Sequence, residues 1–173
     1  MAPARSPDIV IRPASTTDGL EVWSMIQEIG PGENGFHNAG YGVPFSRFER
    51  FLMRLVEAHL GRGLPEGHVP QTTYWGFAGD HPIGIVKLRH WLTDALRQTG
   101  GHIGYSIRPH ERRRGYAVQM LGCALREASR RGIDRALITV NEENRASWRV
   151  VEANGGELVQ RSDGKRYYET PTS

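Results

Sequence analysis

One stretch limits what this chain can become: Gly101 to Ala117, GHIGYSIRPHERRRGYA, followed by apolar residues at helical spacing. Residues 102–108 alternate as a strand does, and Pro109 ends that pattern by removing a ladder donor. Beyond Gly115, the residues Ala117, Met120, Leu121, Ala124, Leu125 and Ala128 make one stripe, with Arg130 and Arg131 ahead of a terminating Gly132. A strand that turns sharply into a long amphipathic helix places the helix's unpaired N–H groups at the end of the strand. Gly115 and Ala117 let an anion come close to that backbone, and Arg112, Arg113 and Arg114 add charge beside it. The turn therefore reads as a phosphate cradle, weighed against a solvated basic turn.

The flanking segments support a layered α/β domain. Ile9 to Pro13 is a short β run, and Ser15 to Asp18 offers caps for a helix bearing Leu20, Trp23 and Ile26. Residues 30–42, GPGENGFHNAGYG, form a glycine-rich loop expected to lie over its neighbours. Ser46 to Glu49 reads as a capping box for a helix through Phe45, Phe48, Leu52, Leu55, Val56 and His59. Residues 72–78 and 82–92 form a hairpin across Gly79, Asp80 and His81. A strand at 136–140 is expected parallel to 102–108, because a helix crosses between them, with a cleft beyond the strand ends. A helix from Asn144 to Asn154 and a hairpin across Ser162, Asp163 and Gly164 close the order β-α-α-β-β-β-α-β-α-β-β.

Composition narrows the function classes. The chain has 173 residues, 38% hydrophobic, which suffices for one core, and a single domain spanning 1–173 is expected. The net charge is only +3 and its arginines concentrate near 108–114 and 126–135, favouring a small polyanionic ligand over a nucleic-acid groove with interleaved aromatics. The seven His residues are scattered without HExxH or CxxC, so no metal site is expected. The single cysteine, Cys123, reads as a packed core thiol. No apolar run reaches bilayer length and the opening MAPARSP lacks a signal-peptide core, so a cytoplasmic protein without a membrane partner is expected.

The cradle residues Arg112, Gly115 and Ala117, with strand before and helix after, resemble the pyrophosphate loop of the Gcn5-related N-acetyltransferase (GNAT) family. The element order is similar to that family's from end to end, as is NEENRASWRVVEANGG after the fifth strand. The resemblance implies an α/β fold with a mixed, mostly antiparallel central sheet flanked by helices. It also implies transfer of an acetyl group from acetyl-CoA, as cosubstrate, directly to an amine on a small molecule or peptide. It further implies that Ile107 and Arg108 pair their backbones with the pantetheine arm and that Arg113, Arg114, Gly115, Tyr116 and Ala117, with Arg112, hold the diphosphate. Asn144, which also reads as a helix N-cap, would meet the pantetheine arm or the diphosphate side, and Ser147 stands beside it where a small residue is usual. The family's usual proton-donating Tyr, seven residues beyond the Asn, is Val151 here. Tyr105 is then a candidate substitute acid, weighed against a core role, and His102 is the first choice as base, its side left open by strand alternation. His90, Asp94, Glu33 and His37 are candidates for the acceptor side, each weighed against a surface role. In this fold the final hairpin often mediates pairing, so a homodimer stays open. The competing readings are a CoA-binding module without turnover and a small basic nucleic-acid-binding domain.

Overall fold

The computed structural model describes residues 7–173, and all statements below concern these. The order is β1 (Ile9–Pro13), α1 (Leu20–Ile29), α2 (Phe48–His59), β2 (Gln71–Ala78), β3 (His81–Arg89), α3 (Asp94–Thr99), β4 (Ile103–Ile107), α4 (Tyr116–Arg130), β5 (Arg135–Asn141), α5 (Arg145–Ala153), β6 (Glu157–Ser162) and β7 (Lys165–Pro171). The expected order is present with one addition, the six-residue α3, whose Thr93 side chain accepts from the Leu96 amide.

The sheet is broken in two. β1-β2-β3-β4 form an antiparallel sheet and β5-β7-β6 a second. β4 and β5, expected as parallel neighbours, share no ladder: their single bridge joins Gly101 to Ile138 and is antiparallel. The join is a clasp at the start of β4. The His102 amide donates to the Leu137 carbonyl (2.7 Å), and the Leu137 amide donates to His102 Nδ1 (2.9 Å). Beyond it the strands diverge, which leaves β4 an open edge.

Two cores flank the four-stranded sheet. On one face Val86, Leu88, Ile103 and Ile107 pack against Met120, Leu121 and Ala124 of α4. On the other Trp75, Phe77 and Ile85 pack against Met25, Ile26 and Leu52 of α1 and α2. Gly76 and Gly84 face each other across β2 and β3. A Cβ on Gly76 would lie 2.6 Å from Met120 Sδ, so the paired glycines form the hollow that seats α4. Fixing α4 fixes the turn at its start.

Some helical details differ from expectation. The buried stripe of α1 is Val22, Met25, Ile26 and Ile29; Leu20 is exposed. Its N-cap is Gly19, while Asp18 accepts instead from Arg12, the Ser15 amide and Trp75 Nε1. Ser46 caps nothing, because residues 45–47 form a 3-10 turn before α2. Cys123 is buried, as expected, and its thiol donates to the Ile9 carbonyl at 3.4 Å. Among the described residues, no helix is long and apolar enough to cross a membrane, and no cluster of three His, Cys, Asp or Glu residues could hold a metal ion.

One buried histidine and two half-buried ones make the fold acid-sensitive. Thr72 Oγ1 sits 2.8 Å from both His59 Nδ1 and His90 Nε2 and accepts from Arg131. Burial, then Arg131, lowers the pKa of His59; the same causes together with His59 lower that of His90 to about 4. Burial, with Arg97 and Arg89, lowers His102 to about 4. The folded chain keeps the His90 and His102 rings neutral where the unfolded chain binds protons, so their stabilisation is complete above the ordinary histidine pKa and is lost as pH falls from about 6.5 through about 4. We expect thermal stability to drop across that window by on the order of 2 kcal/mol, after discounting for solvent screening at the more exposed rings. His90→Gln and His102→Gln should flatten the slope between pH 6.5 and 5, above most carboxylate titration; an unchanged slope in both would refute the assignment.

Candidate active site

The divergence of β4 from β5 opens a cleft of about 1200 Å³, bounded by the start of α4, the N-terminal half of α5 and the loop between α1 and α2. Three parts of this cleft have chemistry built into them.

The first is the turn after β4. Arg113 (φ +63°) and Gly115 (φ +76°) are both left-handed, which curls the backbone and turns successive N–H groups inward. Gly115 is the N-cap of α4, no side chain caps the helix, and its first turn carries no acidic residue. Its leading amides are thus unpaired within the helix and point where an anion would be stabilised. A Cβ on Gly115 would meet nothing within 4 Å, so the space above it is open. Arg113, Tyr116 and Ala117 line the same corner. Arg113 has no carboxylate within 4.0 Å among the described residues, whereas Arg114 pairs with Glu111 at 3.3 Å. Arg112 braces the turn: its Nε donates to the Ile107 carbonyl (3.1 Å) and its Nη2 meets Glu33 (2.6 Å), tying the α1–α2 loop to the cradle.

The second part is the bare edge of β4. The Arg108 amide donates to the Ile83 carbonyl at 2.8 Å, so it belongs to the sheet and is not available to an added strand. Its side chain is also committed, as a bidentate pair with Glu28 at 2.6 Å for each bond and a bond to the Pro82 carbonyl. That pair raises the Arg108 pKa and lowers that of Glu28, in each case through the side-chain hydrogen bond first. Strand alternation then turns the main-chain groups of Tyr105 and Ile107 toward the gap.

The third part faces this edge from α5. The Asn144 side chain accepts from the Ser147 amide (3.3 Å), capping the helix. Its side-chain Nδ2 has no hydrogen-bond partner among the described residues, and Asn144 lines the cleft. Ser147 Oγ lies 2.7 Å from the Tyr105 hydroxyl, which also donates to the Ser147 carbonyl at 3.2 Å. This Tyr105–Ser147 contact links β4 to α5 across the cleft. Burial raises the Tyr105 pKa to about 12, against the lowering effect of the Ser147 hydrogen bond. Val151 is fully buried in the α4–α5 core and carries no proton to give.

His102 does not join this group. Its Nδ1 is held by the Leu137 amide, it is 7% exposed, and it does not line the cleft. Alternation left its side open, and the clasp to β5 decided it. His90 is drawn away to Thr72, and Asp94 begins α3 outside the cleft. Glu33 and His37 do line it, from the α1–α2 loop. Lys87 and Arg89 line it as well and were missed by reading motifs alone. The signal was two cations at alternate positions of an otherwise apolar strand, PIGIVKLR.

Comparison with known proteins agrees with this architecture. No curated protein sequence matches the chain. Among solved structures, RimL, a ribosomal L7/L12 alpha-N-protein acetyltransferase in complex with coenzyme A, superposes with a TM-score of 0.69 at 16% identity, covering 96% of each chain. A ribosomal-protein-S5-alanine acetyltransferase from Vibrio fischeri gives 0.68 at 15% identity, covering 96% of this chain and 94% of its own. The microcin C7 self immunity acetyltransferase MccE, in complex with acetyl-CoA and AMP, gives 0.66 at 14%, covering 95% and 92%. At such identities the likeness is one of fold. The family model for the acetyltransferase (GNAT) domain matches residues 49–157, most of the chain and all of the β4–α4 unit that shapes the cleft. The chain belongs to the GNAT family of acetyltransferases.

Proposed function

We propose that the protein transfers the acetyl group of acetyl-CoA to an amine by direct attack in the cleft between β4 and β5. The observation that carries this reading is the uncapped start of α4, where Arg113 and Gly115 are left-handed and the space above Gly115 is open. The amides from Gly115 to Ala117 would hold the diphosphate, with Arg113 adding charge and Arg112 keeping the turn in shape. The edge groups of Tyr105, the Ile107 N–H and the side-chain amide of Asn144 would receive the pantetheine arm as an added strand. RimL in its coenzyme A complex and MccE in its acetyl-CoA complex have this fold, which supports placing the cosubstrate here.

Acetyl-CoA supplies the activated acyl carbon. The chain's own residues align that carbon with the incoming nitrogen and protonate what departs. Tyr105 is the proton donor in this reading: its hydroxyl stays protonated to about 12, sits at the open gap, and exchanges a hydrogen bond with Ser147 Oγ that can replace the lost proton. His102 is out of reach, so we assign removal of the ammonium proton to water in the open cleft. No acyl-enzyme is required.

The competing reading is a CoA binder without turnover, favoured by Val151 at the usual donor position. Calorimetric titration with coenzyme A, followed by thiol release with a panel of amines, separates the two. Arg112→Ala should weaken coenzyme A about tenfold, the scale of one charge-assisted contact and its turn, and leave pantetheine nearly unaffected. Equal weakening of both ligands would move Arg112 out of diphosphate recognition, and absence of coenzyme A binding would end the assignment.

A further inference from the structure

The far end of the cleft from the cradle carries two neighbouring cations without an acidic partner. Most arginines with an ordered contact end on a carboxylate: Arg12 on Asp18, Arg108 on Glu28, Arg112 on Glu33, Arg135 on Glu157 and Glu169, Arg166 on Glu142. Lys87 and Arg89 do not. They stand two apart on β3, hence on one face of the strand, and both line the cleft. Neither has an acidic partner within 4.0 Å among the described residues.

What they do touch is backbone and ring. Lys87 Nζ donates to the His37 carbonyl and lies 4.9 Å from the centre of the Phe36 ring. Arg89 Nη1 donates to the Gly101 carbonyl at 2.8 Å. Two of the three ammonium donors and most of the guanidinium donors are therefore unspent. Lys87 faces Gly104 across the strands, so no β4 side chain shields it. Burial, then the proximity of Arg89, lowers the Lys87 pKa to about 8, and burial lowers that of Arg89. Two neighbouring cations in partly desolvated surroundings are unfavourable until an anion joins them. Lys165 adds a third positive charge to this end of the cleft, with its Nζ on the Thr99 carbonyl, against one exposed carboxylate, Glu66.

This group is not part of the diphosphate cradle. Lys87 and Arg89 flank the beginning of β4, the cradle follows its end, and five residues of strand span roughly 16 Å. Taking the cleft as the acetyl-transfer site proposed above, the start of β4 lies on the acceptor side.

We propose that Lys87 and Arg89 form an anion-recognition subsite for the acceptor, so that the preferred substrate is a small amine carrying a carboxylate or phosphate group. The ammonium and guanidinium hold the acid group, and the amine is then presented to the thioester at the β4 edge. Loop residues 36 and 37, tied to Lys87, close over the bound acid.

The test uses matched pairs of amines in thiol-release assays with acetyl-CoA: amino acids against their amides, and aminoalkyl phosphates against the parent amino alcohols. Acidic members should have kcat/KM about ten- to a hundredfold higher, the worth of one or two charge-assisted hydrogen bonds. The two kinds of pair show whether carboxylate or phosphate is the natural group. Lys87→Met should erase the preference through KM, with Lys87→Arg restoring it; a loosened loop alone would slow both members of a pair equally. A second readout needs no turnover. With coenzyme A saturating, inorganic phosphate or propionate should raise the melting temperature of the wild type relative to chloride at equal ionic strength, and should not do so for the Lys87→Met, Arg89→Gln double variant. Equal use of neutral and acidic amines, or identical anion effects on wild type and double variant, overturns the proposal. Failure of coenzyme A to bind at all is the separate result that would overturn the acetyl-transfer reading.

Discussion

Gly115→Val is expected to weaken coenzyme A by about a hundredfold or more, equivalent to roughly 2.7 kcal/mol, in a protein that still folds. Gly115 holds φ at +76°, where an L side chain is strained by about 1–2 kcal/mol. That cost alone would lower stability and leave affinity intact. The additional loss comes from position: the valine methyls would occupy the open space above the first amides of α4, which the diphosphate is proposed to fill. Gly132→Val is the matched control. Its φ is +77°, it too meets nothing within 4 Å, and it lies at the opposite end of the same helix. Calorimetry should show coenzyme A lost from the first variant and retained by the second, at similar melting temperatures. Equal affinities would show that no phosphate sits against this backbone.

The second large effect is on turnover. Tyr105→Phe removes the hydroxyl that bridges the gap to Ser147 and should lower kcat about a hundredfold, at the modest end of what a positioned proton donor contributes. Coenzyme A affinity should hold, because the ring and the β4 edge remain. Ser147→Ala keeps the donor and removes only its relay, so a smaller loss of about tenfold is expected. The pH profile gives an independent check. With Tyr105 protonated to about 12, activity should rise toward alkaline pH as the acceptor amine deprotonates, with no falling limb from the donor. Wild-type kcat in Tyr105→Phe would assign leaving-group protonation elsewhere.

Local signals in the chain were read well where the physics is local. Pro13 and Pro109 bound strands, the Ala117 to Ala128 stripe is the buried face of α4, and Asn144 is an N-cap because its side chain reaches an amide three residues on. Asp163 and Gly164, both with positive φ, form the tight turn that such a pair favours. α3 escaped because six residues hold less than two turns of periodicity, although Thr93 carried a cap signal. The α1 stripe shifted because Leu20 sits at the frayed first position, where nothing packs over it. Other features depend on residues far apart in the chain. The broken sheet and the role of His102 rest on one clasp to Leu137, 35 positions away. The resemblance assigns the Arg108 backbone to the pantetheine arm, whereas its amide donates to the Ile83 carbonyl on β3, far earlier in the chain. Strand alternation could place His102 on one face or the other; only the path of β5 chooses.

The gap beside β4 also bears on self-association. A bare strand edge with unspent peptide groups ordinarily invites another copy of the chain to add to it, and proteins blunt such edges with charge, proline or cover. Here the edge is recessed: α5 stands on one side and residues 33–39 on the other, with Pro109 cutting the strand short. A folded neighbour is too bulky to enter that slot, whereas a single flexible tether bearing its own amides is slim enough. The molecule thus keeps an unsaturated edge without exposing it to polymerisation.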